Sequence, residues 1–459
     1  MKIWIDVMRD IEYLLGDFQP ILDAWEEGGV DGLVIGPLMF NAQKLLVGTR
    51  LVEAGEPPVA TYDPNPRIYR SLGVEPPAPP SNPYPEKRAQ LERLLTAVKD
   101  RGWALYIFQA HSGAGPGGAG PLLADDRSQA AYQARMIDTL EHYPMVDGAI
   151  MDGPEWGYEI APHHQNYRSY IFNDLPESVA VKCAALGYDY EALVAAKDRL
   201  LARFHNLDSR EVARHAHGGW LGTSLFLGDD PDLLAWMRFR VESMTAFFSG
   251  VRQCLNAHLS HKIKLGVGPR SAAFAPLCGY DMPTLATFLD ILLPKHYFWQ
   301  RGFDGLIGTV YRYVETLTHW NPGLTDEDAL AVVEGLFGLV LPGVQNRSDL
   351  EEALAPEFFE QVVAQETRRA LAAVDDGSRR AARIVPWVDA GHFPHDGDPI
   401  SAGDLRKMLR AAEAAGLQRF LYHHAGNLTA GEWAVMSEMC GRPWRPLEST
   451  YHPPDQLVL

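Results

Sequence analysis

The sequence predicts a single (β/α)8 barrel spanning residues 1–459, with a helical insertion after its fourth strand over residues 160–250. Three observations carry that reading. Eight short β-rich runs alternate with helical patterns, and eight parallel strands are the number that closes such a barrel. Each run gives way, on the same side, to polar and aromatic residues. A long segment of helical pattern separates the fourth run from the fifth. A doubly wound open sheet is the structural rival, because it uses the same alternation.

The first run is Ile3–Val7. The second, Gly32–Gly36, follows a helical pattern around Ile21–Glu27. The third, Trp103–Phe108, follows a helix that lines up Leu91, Leu94, Leu95 and Val98, with Gly102 where that helix should stop. The remaining runs are Gly148–Met151, Ile263–Val267, Ile291–Leu293, Ile384–Val388 and Phe420–Tyr422. Later helices carry start signals. Ser401 stands before Leu405, Met408 and Leu409, and Gly416 follows. Thr325 opens T-x-x-D, and Thr429 opens T-x-x-E with Glu432. In the insertion the clearest helices are Glu191–His205, expected to form a lid over the barrel, and Leu233–Cys254, expected to return the chain to it. The proline-rich stretch Pro76–Pro85 reads as a surface loop.

Composition narrows the function. The net charge of −18 disfavours a phosphate backbone as partner, so nucleic acid is not expected. No run is long enough to cross a bilayer, and the start MKIWIDVMRD has no secretory pattern. The four cysteines are scattered without a C-x-x-C, which fits a reduced, cytoplasmic protein. No cofactor is expected, and a homo-oligomer is left open.

Function in a barrel sits at the carboxyl ends of the strands. There the sequence offers Asp6, then His111 beyond the third run, then Asp152, Glu155 and Trp156 in VDGAIMDGPEWGYE. Arg270 follows the fifth run. Lys295, His296 and Tyr297 follow the sixth, Trp387 and Asp389 the seventh, and His423 the eighth. Aromatic rings beside carboxylates suit a sugar: the rings stack on its apolar faces, and the carboxylates bind hydroxyls and move protons. Hydrolysis of a glycosidic bond needs two such carboxyls flanking it. Glu155, enclosed by Trp156, is the expected acid/base, and Asp389 the expected nucleophile or base. Asp152 and Glu159 compete for the second place. Asp152, Trp156, Arg270, Lys295, His296, Tyr297, Trp387, His423 and His111 are expected to bind the sugar.

The stretch DGPEW after an apolar strand resembles the fourth-strand end of the (β/α)8 glycoside hydrolases. The likeness is to that superfamily and its uncharacterised hydrolase-like branches. In the large clan with its acid/base on strand four and nucleophile on strand seven, Asn precedes the acid/base Glu and the nucleophile is Glu. Here Pro154 and Asp389 hold those positions. The resemblance implies hydrolysis of a glycosidic bond, and an intracellular location would suit an oligosaccharide or glycoconjugate better than a polymer.

Other motifs carry less. HSGAGPGGAGP contains Gly115, Gly117 and Gly120 in dinucleotide-binding spacing, but Pro116 interrupts it and no helix follows directly. It reads as an active-site loop or as a featureless glycine-rich one. Asp152, His296 and His423, with His111 or Asp389, have ligand types for a divalent ion, so a metal-dependent barrel hydrolase or sugar isomerase is an alternative. No metal is assigned, because H-E-x-x-H is absent. Lys295 could form a Schiff base. A non-catalytic carbohydrate-binding barrel is the remaining rival.

Overall fold

The computed structural model describes residues 1–7, 11–36, 39–40, 59–79, 85–110, 123, 125–161, 170–216, 230–301, 304–351, 355–374, 377, 380–392, 397 and 400–454. Among the described residues, eight parallel strands form the sheet, the sixth of them in two pieces. They are β1 (Lys2–Asp6), β2 (Val30–Ile35), β3 (Ala104–Ala110), β4 (Gly148–Asp152), β5 (Lys264–Val267), β6 in two pieces (Ile291–Leu292 and Lys295–His296), β7 (Trp387–Val388) and β8 (Arg419–His423).

The two pieces of β6 decide between barrel and open sheet. Ile291 and Leu292 pair with Gly266 and Val267 of β5, while Lys295 and His296 pair with Trp387 and Val388 of β7. Pro294 between them has no N–H to give, but its carbonyl accepts from Trp387 N at 3.0 Å. β8 pairs with both β7 and β1. The sheet therefore closes on itself, and the open-sheet rival fails for want of an edge.

Strand parity sorts the residues into two cores. Trp4, Val34, Tyr106, Phe108, Ile150, Leu293, Trp387 and Leu421 fill the barrel interior. Ile3, Ile5, Leu33, Leu105, Ile107, Ala149, Leu265 and Phe420 face the surrounding helices. The expected helix ends are present. Thr325 and Thr429 form capping boxes with Asp328 and Glu432, Ser401 accepts from Asp404 N at 3.1 Å, and Gly102 follows its helix at φ 72°. A short antiparallel pair, Met39–Phe40 with Val59–Ala60, was not anticipated.

Between β4 and β5 stand the helices Val179–Ala185, Tyr190–Phe204, Ser209–His215 and Pro231–His258. Asp189, Asp208 and Asp230 cap the last three. Asn321, at the end of the helix Leu306–Trp320, binds Leu207 N at 2.9 Å and the Phe204 carbonyl at 2.8 Å. This ties the insertion to the barrel's outer layer. The four cysteines form no disulfide, and no helix among the described residues is long and apolar enough to cross a membrane.

Candidate active site at the carboxyl ends of the strands

The inward parity that places Trp4, Ile150, Leu293, Trp387 and Leu421 inside continues two residues on. It delivers Asp6, Asp152, Lys295, Asp389 and His423 to the mouth of the barrel. They arrange in two groups, with Tyr297 and Trp387 between.

The first group stands over β1, β7 and β8. His423 Nδ1 lies 2.6 Å from Asp6 Oδ2. A carboxylate only accepts, so this nitrogen carries the proton and the other, Nε2, faces Asp389 Oδ2 at 4.0 Å. Asp389 Oδ1 accepts from Gly391 N at 2.7 Å and His392 N at 3.3 Å. Both aspartates are 0% exposed.

The second group stands over β4, β5 and β6. Arg270 forks onto Glu155, with Nε donating to Oε2 at 2.8 Å and Nη2 to Oε1. Its remaining nitrogen, Nη1, pairs with Asp304. Asp304 Oδ2 lies 3.4 Å from Lys295 Nζ, and Lys295 Nζ lies 3.8 Å from Asp152 Oδ1. Five charges thus alternate in sign from Glu155 to Asp152. Asp152 is the most open of the mouth carboxylates described, with a side chain 41% exposed.

Lys295 Nζ sits 5.9 Å from the ring centres of both Tyr297 and Trp387. Trp387 crosses the barrel beneath the mouth toward β5. A Cβ on Gly268 would stand 2.4 Å from Trp387 Cζ3, so only glycine lets the ring lie there. Tyr297 belongs to both groups. Burial, then the negative field of Asp389, Asp304, Asp152 and Asp6, holds its phenol well above the usual range, so it stays a neutral donor.

Two expected sugar-binding residues lie elsewhere. His296 neighbours inward-facing Lys295, so its side chain points outward, where Nε2 meets Thr367 Oγ1 at 3.0 Å. Burial there drives its pKa down to about 3, leaving it neutral. This separates it from His423 and breaks up the metal-ligand set considered above. Trp156 turns into the insertion: Nε1 donates to the Arg240 carbonyl and to Ser243 Oγ, each at 3.2 Å, and the ring packs on Phe239. It does not enclose Glu155, whose carboxylate meets Arg270 instead of an apolar wall.

Glu159, the other competitor, is 3% exposed and taken up by an ion pair. It accepts from Arg312 Nε at 3.1 and 3.2 Å and from Thr309 Oγ1 at 3.1 Å. His111 lies outside the described residues, as does the whole glycine-rich stretch HSGAGPGGAGP. The sequence reading missed Asp304, which follows no strand directly and sits in no motif. It gave Asp6 no role, although that residue ends β1 with inward parity.

No protein-family model matches the chain, and no curated protein matches it. Several solved structures are similar over nearly their full length. One is the PgaB (BpsB) glycoside hydrolase domain from Bordetella bronchiseptica, at 12% identity and TM-score 0.47, covering 95% of this chain and 98% of that one. Another is a class V chitininase from Pseudomonas fluorescens Pf-5, at 11% identity and TM-score 0.42, covering 96% and 99%. A third is the group IV chitinase from Ostrinia furnacalis, at 10% identity and TM-score 0.44, also covering 96% and 99%.

Proposed function

We propose that the chain is a glycoside hydrolase that cleaves an oligosaccharide or glycoconjugate by a two-carboxylate mechanism. The observation that carries this is the meeting of carboxylates on β4 and β7 around the Tyr297 and Trp387 rings at one end of a closed barrel. The two rings, all but buried, form the floor of the mouth, with Lys295 and His423 beside them for a sugar's hydroxyls. Asp389 acts as nucleophile or base, aligned by two backbone N–H groups and faced by His423, whose tautomer Asp6 fixes.

Asp152 is the proton donor, because it is the open carboxylate at the opposite side of the mouth. Glu155, the residue first expected in that role, has both oxygens on Arg270 and serves to hold that arginine. The test is hydrolysis of a panel of aryl glycosides by the wild type, Asp152→Asn, Glu155→Gln and Asp389→Asn. Cleavage lost in Asp152→Asn and Asp389→Asn, but reduced only moderately in Glu155→Gln, supports the assignment. Full loss in Glu155→Gln with Asp152→Asn active returns the acid role to Glu155. Activity surviving in Asp389→Asn defeats the mechanism.

A further inference from the structure

We propose that Asp304 is a positioning residue that holds Lys295 away from full engagement with Asp152, so that Asp152 can keep its proton. This deepens the reading of Asp152 as proton donor and rests on it.

The geometry is a chain of alternating charge: Glu155, Arg270, Asp304, Lys295, Asp152. Lys295 Nζ lies closer to Asp304, at 3.4 Å, than to Asp152, at 3.8 Å. A cation within about 4–6 Å of a carboxylate favours its charged form, so the share of Lys295 that reaches Asp152 decides how readily Asp152 is protonated. Asp304 takes the larger share. It is itself anchored by Arg270 Nη1 and by the Tyr158 hydroxyl at 3.4 Å, and it is 6% exposed.

Its backbone supports a selected position. Among the described residues, Asp304 is the single non-glycine at positive φ, 70°. That conformation costs energy and persists where the surroundings enforce it. Its carboxylate is held there by Arg270 and Lys295.

Several other titratable groups stand in the neighbourhood of Asp152 among the described residues. Tyr297 comes from beyond β6, Tyr280 and Arg270 from the segment after β5, Glu155 from its own loop, and Tyr132 from the helix Asp126–His142. The tyrosines have phenols raised by burial and stay neutral through the working range. Arg270 is committed to Glu155 and Asp304. Lys295, in reach of both carboxylates, is the group whose position couples Asp304 to Asp152.

The experiment reads the Asp152 carboxyl directly, without needing a substrate. Protein labelled with 13C at the aspartate carboxyls is titrated by NMR, with the Asp152 signal assigned from its absence in Asp152→Asn. Asparagine tolerates positive φ, so Asp304→Asn removes the charge and keeps the backbone. The expected result is a downward move of the Asp152 midpoint by about one pH unit in Asp304→Asn, an upward move in Lys295→Met, and no further effect of Asp304→Asn in the Lys295→Met background. Lys295→Met also serves as the second variant should Asp304→Asn not fold. An unmoved Asp152 midpoint in either single variant, or an Asp304→Asn effect that persists without Lys295, overturns the inference. The proposed function fails separately, by full turnover in Asp152→Asn.

Discussion

Gly268→Ala links the barrel floor to the chemistry above it. The new Cβ would stand 2.4 Å from Trp387 Cζ3, 3.0 Å from Cε3 and 3.1 Å from Cη2. Ordinary carbon contacts lie near 3.5–4.0 Å, so the ring must retreat by about 1 Å. It has little room. Trp387 is 2% exposed, and its ring centre lies 6.1 Å from that of Phe108 and 5.9 Å from that of His423. Overpacking of this kind costs about 1–3 kcal/mol. In a chain of this size that moves the thermal midpoint by only about 1–3 °C, so the urea midpoint is the better stability assay. The functional effect should be larger, because a displaced ring shifts the floor on which Asp389 and Lys295 are set. A misplacement of about 1 Å can cost on the order of a hundredfold in rate. Gly268→Ala should therefore fold, lose stability modestly, and lose kcat/KM by about ten- to a hundredfold on any glycoside the wild type cleaves. Unchanged stability together with unchanged kcat/KM would refute the reasoning, since Trp387 would then be neither confined nor part of the sugar site.

Three further outcomes are expected. Glu159→Gln leaves Arg312 buried without its carboxylate and should cost about 3–5 kcal/mol in urea unfolding, whereas Glu159→Gln with Arg312→Met should cost less than the two singles added. His392 is pulled down by burial but raised more by the hydrogen bond and charge of Glu432 and by Asp389, so its folded-state pKa lies above 6.5. Its stabilisation is then full below about pH 6.5 and lost as pH rises through the folded value; the gap in urea midpoint between wild type and His392→Gln should narrow from pH 6 to pH 9, and a constant gap would contradict it. Turnover should be indifferent to EDTA, since no proposed step uses a metal; activity abolished by EDTA and restored by a divalent ion would favour the metal-dependent alternative.

The barrel was legible because its signals are local and repeated: eight apolar runs, helix caps at Thr325, Ser401 and Thr429, and stops at Gly102 and Gly416. Closure was not, because it depends on how the two halves of β6 share neighbours across Pro294. Strand parity could have sorted Lys295, His296 and Tyr297 in advance. Neighbours on a strand face opposite ways, which sends His296 outward once Lys295 is inward. Trp156 was harder, since it follows the strand and its direction is set by Arg240 and Ser243 on a helix more than eighty residues later. The pairing of Glu155 with Arg270 and the role of Asp304 are likewise long-range. No spacing within DGPEW announces that its glutamate meets a guanidinium rather than an apolar pocket.

The most direct test of the two-carboxylate account compares a good and a poor leaving group on whichever sugar the enzyme accepts. Dinitrophenyl glycosides need no proton to depart, whereas phenyl or alkyl glycosides do. Asp152→Asn should lose at least tenfold more kcat/KM on the poor leaving group than on the good one, while Asp389→Asn should lose activity on both. Equal losses for Asp152→Asn on the two substrates would contradict its role as proton donor, and full activity in Asp389→Asn would contradict the two-carboxylate mechanism itself.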